Sequence, residues 1–168
     1  PYIMFADSDD YYAKNACELF YTAMERDHLD MVCAKYMRIS SKKMWQCADN
    51  GNYDPLVPIC HMERSTLYKH FGATALIHNR VFKRSIIQQW GLSFPEKNIM
   101  DDTIFMHRYI FHCRKVGGLD ELLYYYRVRE SPANPSITDR RSSAQANITY
   151  MQGMFTLCSL YLEHKCYR

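Results

Sequence analysis

Residues 2–6, Tyr-Ile-Met-Phe-Ala, form an unbroken apolar run, and the run stops at Asp7-Ser8-Asp9-Asp10. A short run of this kind reads as a strand buried on both faces. The three carboxylates that follow it repel one another. One acid ahead of Ala13 is enough to cap a following helix and suit its dipole, so capping leaves two carboxylates unexplained. The cluster implies a cation among the carboxylates, or one carboxylate that acts as a reagent. Open α/β sheets gather ligands at the carboxyl ends of their strands, which is where this cluster falls.

The next segment has the helical period. Between Ala13 and Arg26 the apolar positions are Ala16, Leu19, Phe20, Ala23 and Met24, one face of a helix. Met31 to Ala34 is a second apolar run, so a strand, a crossover helix and a strand follow in order. That order predicts a βαβ unit with the two strands paired in parallel. Residues 40 to 60 lack a period and contain Asp-Asn-Gly-Asn-Tyr-Asp-Pro, which predicts a long loop with irregular strands. Short helices are expected over Met62–Phe71 and Val81–Trp90, with a strand over Ala75–Ile77 between them. A helix from about Asp102 to Lys115 is expected to stop at Gly117-Gly118, before a strand over Leu122–Val128. A C-terminal helix spans about residues 141–164, with Ile148, Met151, Phe155, Cys158 and Leu162 on one stripe.

Composition narrows the class. The chain has 168 residues, enough for one domain with a sizeable core. Its 48% hydrophobic and 14% aromatic content argues against disorder. The formal charge of +3 includes no block of like charges, so nucleic acid is not expected as a partner. The chain opens on the strand-like run without a signal-peptide pattern, and no apolar stretch is long enough to span a bilayer. The seven cysteines are scattered and never spaced Cys-x-x-Cys, which suits reduced, buried thiols. Cys60-His61 and His112-Cys113 are adjacent pairs and so poor zinc ligands. His107 and His112 read as packing or surface residues. Trp45 and Trp90 have the chemistry to stack on a sugar ring, although Trp90 is expected in the core.

A second acidic pair, Asp101-Asp102, lies far along the chain. A plain helix N-cap is one reading of it. Two chemical readings combine the clusters. In the first, hard carboxylate oxygens hold Mg²⁺ or Mn²⁺, and a substrate phosphate completes the shell. In the second, the Asp-x-Asp after a strand and the downstream acidic pair resemble the haloacid dehalogenase-like phosphatases. That resemblance implies Asp7 as nucleophile, Asp9 as acid, and Asp101 and Asp102 as Mg²⁺ ligands.

Three blocks in order, covering roughly residues 1 to 138, resemble inverting family-two glycosyltransferases of the GT-A fold. They are Pro-Tyr-Ile-Met-Phe-Ala-Asp-Ser-Asp-Asp-Tyr-Tyr, the segment from His78 to Ile110 with its Phe-Pro-Glu and acidic pair, and Tyr-Tyr-Tyr-Arg-Val-Arg through Ser-Ile-Thr. The family's second block usually reads Glu-Asp where this chain has Asp101-Asp102. The family also begins with a βαβαβ nucleotide-binding half that is not found in this sequence. On the order of 80 to 100 residues are therefore expected upstream. The resemblance implies an α/β, GT-A-like mixed sheet flanked by helices, N-terminally truncated, with residues 1–168 forming one acceptor-side catalytic domain. Such a piece is expected to be inactive or only a binding module on its own.

The resemblance also implies roles. Asp9 would bind Mn²⁺ or Mg²⁺ directly with help from Asp7, and Asp7 would also lie near the donor's sugar or ribose. Arg127 and Arg129, on one face of a strand end, would meet the diphosphate. Asp102 would be the general base that deprotonates the acceptor hydroxyl, with its pKa raised by desolvation and by Asp101. The implied partners are a nucleotide-sugar donor and a glycan or lipid-linked sugar acceptor in polysaccharide synthesis. The implied location is the cytoplasm or the inner face of the membrane. Donor base, sugar, linkage and oligomeric state are not legible.

Overall fold

The structure is a computed structural model that describes residues 1–40, 76–128 and 144–164, together with the backbone of 44–47. The helix expected over Met62–Phe71, most of the loop expected over 40–60, and Arg129 lie outside the described residues. So does the side chain of Trp45.

The chain is an α/β fold built on one mixed sheet. In chain order the elements are β1 (Tyr2–Met4), β2 (Tyr11–Tyr12), α1 (Ala16–Arg26), β3 (Met31–Ile39), β4 (Met44–Cys47), β5 (Arg80–Lys83), α2 (Arg84–Gln89), α3 (Asp101–Ile110), β6 (Val116–Arg127) and α4 (Ala144–Glu163). The strand order is β1-β5-β3-β6-β2, and β4 pairs with the far half of β3. Among the described pairs only β3 and β6 run parallel.

β3 organises the sheet because both its faces are covered. Met31 and Cys33 pack into a core with Phe105, Met106, Tyr109 and Ile110 of α3 and Ile86 of α2. Val32 and Ala34 pack on the opposite face with Ala16, Phe20, Ala23 and Met24 of α1. A strand buried on both sides carries a continuous apolar run, which is the pattern in this segment. Asp30 anchors the entry to β3. Its side chain accepts from the amides of Arg114 and Lys115 at 2.8 and 3.2 Å and pairs with Lys83 at 3.3 Å.

Several expectations need correction. β1 and β3 point the same way but do not pair, since β5 lies between them, antiparallel to both. β1 is therefore an edge strand among the described residues, and its side chains are only partly buried. The βαβ reading failed because β5 comes from a segment with helical appearance. Val81 enters the α1 core and Phe82 the α3 core. A four-residue strand that runs straight into α2 cannot be told from a longer helix by apolar content. The strand expected at Ala75–Ile77 is not there: Leu76 and Ile77 are irregular, and the strand starts at Arg80. Gly117-Gly118 do not end α3, which stops at Ile110. They lie inside β6, opposite Val32 and Cys33.

Trp90 is 53% exposed rather than in the core, and it stacks on His112 at 3.9 Å. Of the described cysteines, Cys33 and Cys113 are buried free thiols, whereas Cys17 and Cys158 are exposed. The stripe expected to bury α4 faces solvent: Ile148, Met151, Phe155, Cys158 and Leu162 are all exposed. The face that docks carries Gly153 and Leu157. α4 has a single charged residue, Glu163, so its apolar pattern does not distinguish one face from the other. Among the described residues no helix is long and apolar enough to cross a membrane.

Candidate active site

The two acidic blocks, some ninety positions apart in sequence, meet at the end of β1. Phe5 brings them together. Its ring makes edge contacts with Phe82, Phe94 and Phe105 at 5.5, 5.3 and 5.5 Å. Phe94 stacks on Phe105 at 4.4 Å. Phe5 lies two residues before Asp7, and Phe105 three residues after Asp102. The aromatic cluster thus locks the turn after β1 against the first turn of α3. Nothing in the acidic motifs announces this lock; its only sequence signal is an apolar ring close to each block.

The turn itself is tied down by Asp10. The Asp10 amide donates to the Asp7 carbonyl at 3.1 Å. Its carboxylate accepts from the Tyr124 hydroxyl at 2.6 Å and from the Arg127 amide at 2.7 Å. The Tyr124 hydroxyl also accepts from the Asp7 amide at 3.3 Å. Burial pushes the Asp10 carboxyl up, against the lowering effect of these two donors and the Arg127 charge. Both oxygens of Asp10 are engaged, so Asp10 shapes the turn that presents Asp7 and Asp9.

Asp7 feels carboxylates of both acidic blocks. Partial burial pushes its pKa up, and so do Asp10, Asp9 and Asp101. Asp102 is pushed up to about 6, by burial first and then by Asp101 and Asp7. These couplings are the electrostatic signature of the two blocks sharing one site. Asp101 and Asp102 stand in the first turn of α3, where the N-cap is Met100 and no side chain caps the helix. Asp101 Oδ1 accepts from the Asp102 amide at 2.9 Å, which orients Asp101 along the backbone. A capping role thus fails to account for the pair.

Of the two arginines, Arg127 sits at the end of β6, exposed, and its charge reaches Asp10. A cation missed by sequence reading is Arg38 on β3. Its guanidinium lies 5.7 Å from the centre of the Tyr126 ring. Burial raises the Tyr126 pKa, as do Asp10, Asp7 and Asp9, while Arg38 lowers it. Tyr126 therefore feels both the acidic turn and Arg38. His78 completes this wall. Its ring stacks on Tyr124 at 4.4 Å and on Tyr126 at 5.7 Å. Burial and Arg80 hold it neutral, at about 4. The Tyr12 hydroxyl sits between the carbonyls of Phe5 and His78, at 2.6 and 2.5 Å, and fastens the wall to the end of β1. The Tyr-rich strand was legible; that alternate residues Tyr124 and Tyr126 would line the acidic site was not, because their partner His78 comes from a distant segment. His107 is a packing residue, 2.9 Å from the Tyr161 hydroxyl.

The donor set suits a hard divalent cation. Asp7 and Asp9 offer carboxylate oxygens, and neighbouring like charge favours a cation between them. Among the described residues no three carboxylate, thiol or imidazole groups converge to hold a metal by themselves.

Solved structures share this fold. The crystal structure of S. aureus TarS residues 1–349 in complex with UDP-GlcNAc matches with a TM-score of 0.62 at 17% identity, over 77% of this chain and 35% of that one. The same region in complex with UDP matches with a TM-score of 0.58 at 18% identity, over 76% and 36%. The chain thus spans about a third of the length of these structures. Comparison with curated protein sequences gives no match. The family model of glycosyl transferase family 2 matches residues 1–91, more than half of the 168, and the chain belongs to that family.

Proposed function

We propose that this chain is the acceptor-side catalytic part of an inverting, metal-dependent glycosyltransferase that moves a sugar from a nucleoside diphosphate to an acceptor hydroxyl. The observation that carries the reading is the meeting of Asp7, Asp9, Asp101 and Asp102 at the end of β1, with the Asp102 carboxyl pushed up to about 6. A base for a sugar hydroxyl works best with a pKa near the working pH. Asp102 takes the proton of the acceptor hydroxyl. The acceptor oxygen then bonds to the anomeric carbon as the bond from that carbon to the diphosphate breaks, so the configuration inverts. Asp7 and Asp9 hold Mn²⁺ or Mg²⁺, which when bound neutralises charge on the diphosphate. Arg127 and Arg129 supply further positive charge to that diphosphate. Asp10 and Tyr124 keep the turn in place.

The TarS structures are complexes with UDP-GlcNAc and UDP. A UDP-sugar is therefore the first donor to test. The acceptor is a glycan or lipid-linked sugar, in polysaccharide synthesis in the cytoplasm or at the inner face of a membrane. Membership in glycosyl transferase family 2 favours this reading over the phosphatase one.

The test is calorimetric. With the family's nucleotide-binding half joined to the chain, UDP should bind in the presence of Mn²⁺ and much more weakly with a chelator present. Asp9→Ala should reduce the Mn²⁺-dependent affinity at least tenfold, because it leaves Asp7 as the one carboxylate of the pair to hold the ion against the diphosphate. Equal affinity of Asp9→Ala and wild type would remove Asp9 from the site. Hydrolysis of a simple phosphate ester by wild type, with no sugar transfer, would restore the phosphatase.

A further inference from the structure

We infer that Gly153, on the helix farthest in sequence from the acidic turn, is a positioning residue for Asp102. The inference rests on the reading of Asp102 as the base. α4 crosses the segment that leads into α3 with no side chain at the contact. A Cβ at position 153 would lie 2.8 Å from Met100 Sδ, 3.0 Å from Met100 Cβ and 3.1 Å from Asn98 Oδ1. The sulfur is the end of a flexible side chain and can swing away. Met100 Cβ moves only with the backbone, and Asn98 Oδ1 is held by the Met100 amide, so each must give by a few tenths of an ångström at the expense of their turn.

Those two atoms belong to the turn that starts α3. Asn98 Oδ1 accepts from the Met100 amide at 2.9 Å. The Asn98 carbonyl accepts from the Asp101 amide at 3.3 Å, and the Met100 carbonyl from the Ile104 amide at 2.8 Å. With no side-chain cap on α3, this turn and its seat on Gly153 set where Asp101 and Asp102 stand. The far end of α3 is held separately. His107 Nδ1 is 2.9 Å from the Tyr161 hydroxyl. Phe111 makes an edge contact with Tyr161 at 5.7 Å and stacks on His164 at 3.9 Å. A methyl group at 153 is therefore accommodated at the Asn98–Met100 end, which carries the carboxylates, and not by sliding the whole helix.

Displacement of a reacting group by about 1 Å costs up to about 10²-fold in rate. Alanine favours a helix more than glycine does, so α4 itself gains from the change. The experiment joins the chain to the family's nucleotide-binding half and follows Mn²⁺-dependent release of UDP from a UDP-sugar turned over by that wild-type protein. Gly153→Ala should lower kcat by about 10- to 100-fold with KM for the donor unchanged, since the donor-side carboxylates Asp7 and Asp9 do not rest on α4. Gly153→Ala combined with Met100→Gly, which removes both Met100 atoms facing position 153 at an N-cap position where glycine is tolerated, should recover much of the loss. Wild-type kcat in Gly153→Ala, an equal loss in donor affinity, or no recovery in the double variant would each overturn the inference. If the wild type turns over no nucleotide sugar, the reading of function has failed, and the seat is judged by hydrogen exchange. Amides 98–104 should exchange faster in Gly153→Ala and slow again in the double variant; unchanged exchange rejects the seat.

Discussion

Asp102→Asn is expected to lower sugar transfer by about 10²- to 10⁴-fold, the usual contribution of a positioned proton acceptor, while raising the melting temperature at pH 8. The two effects have one cause. Burial, Asp101 and Asp7 push the Asp102 carboxyl up to about 6, against an unfolded-state value near 3.9. Its charge at the start of α3 gains something from the helix dipole, but the net upward shift means that burial and like charge win. The neutral form is thus favoured in the folded state. Stability from this group is complete below about pH 4 and is lost as pH rises through 6. Asparagine cannot ionise and escapes the loss. The gain is therefore expected at pH 8, by about 2 °C or more, and should vanish near pH 4. Partial exposure of the carboxyl keeps the gain small. In the wild type, kcat/KM should rise with pH up to about 6 and then level. A melting temperature equally raised at pH 4 and pH 8, or a rate unchanged by the substitution, would show that Asp102 is neither strained nor a base. Asp101→Asn should do less, acting through its neighbour's pKa. Donor and Mn²⁺ affinity should survive Asp102→Asn, whereas the phosphatase assignment makes Asp102 a metal ligand and predicts their loss.

The parts of the site that were legible are those encoded within one segment. The run from Tyr2 ends in acids because a strand ends there, and the α1 period marks Ala16, Phe20, Ala23 and Met24, all buried. Asp101 and Asp102 stood out as an acidic pair before an apolar helix. What brings the two blocks together was not legible, because Phe5, Phe94 and Phe105 look like ordinary core residues in their own segments. Likewise β5 gained its place between β1 and β3 from pairing with both, a non-local fact. Gly117 and Gly118 looked like a helix stop, but a buried parallel pair with β3 accepts them as strand residues. α4 illustrates the limit of periodicity. Its stronger apolar stripe lies outside, and the position that docks is the one with no side chain, Gly153.

Asp10 is not among the residues with assigned chemistry, yet Asp10→Ala is expected to cost about 2–3 kcal/mol of stability and at least tenfold in Mn²⁺-dependent UDP affinity. The stability figure follows from two hydrogen bonds to a charged acceptor, each worth about 1.5–3 kcal/mol when fully buried and less here, since the carboxylate is only partly buried. Alanine leaves the hydroxyl of fully buried Tyr124 and the Arg127 amide without their acceptor. A loss of that size lowers the melting temperature of a chain of this length by roughly 4–12 °C. Asp10→Asn keeps the shape. Its carbonyl oxygen still accepts from Arg127, its amide can donate to the Tyr124 oxygen, and the burial penalty on the charge disappears. It should therefore cost about 1 kcal/mol or less and retain most of the affinity. Tyr124→Phe removes the same contact from the other side and also the acceptor of the Asp7 amide. Combined with Asp10→Ala, it should cost about 1 kcal/mol less than the sum of the single changes, the coupling of a shared hydrogen bond. The loss of affinity in Asp10→Ala then comes from a displaced turn, because Asp7 and Asp9 keep their own carboxylates but no longer face the diphosphate together. Additive losses, or wild-type affinity in Asp10→Ala, would mean that the turn holds its shape without Tyr124 and that Asp7 and Asp9 are aimed by the β1 strand and the Phe5 cluster alone.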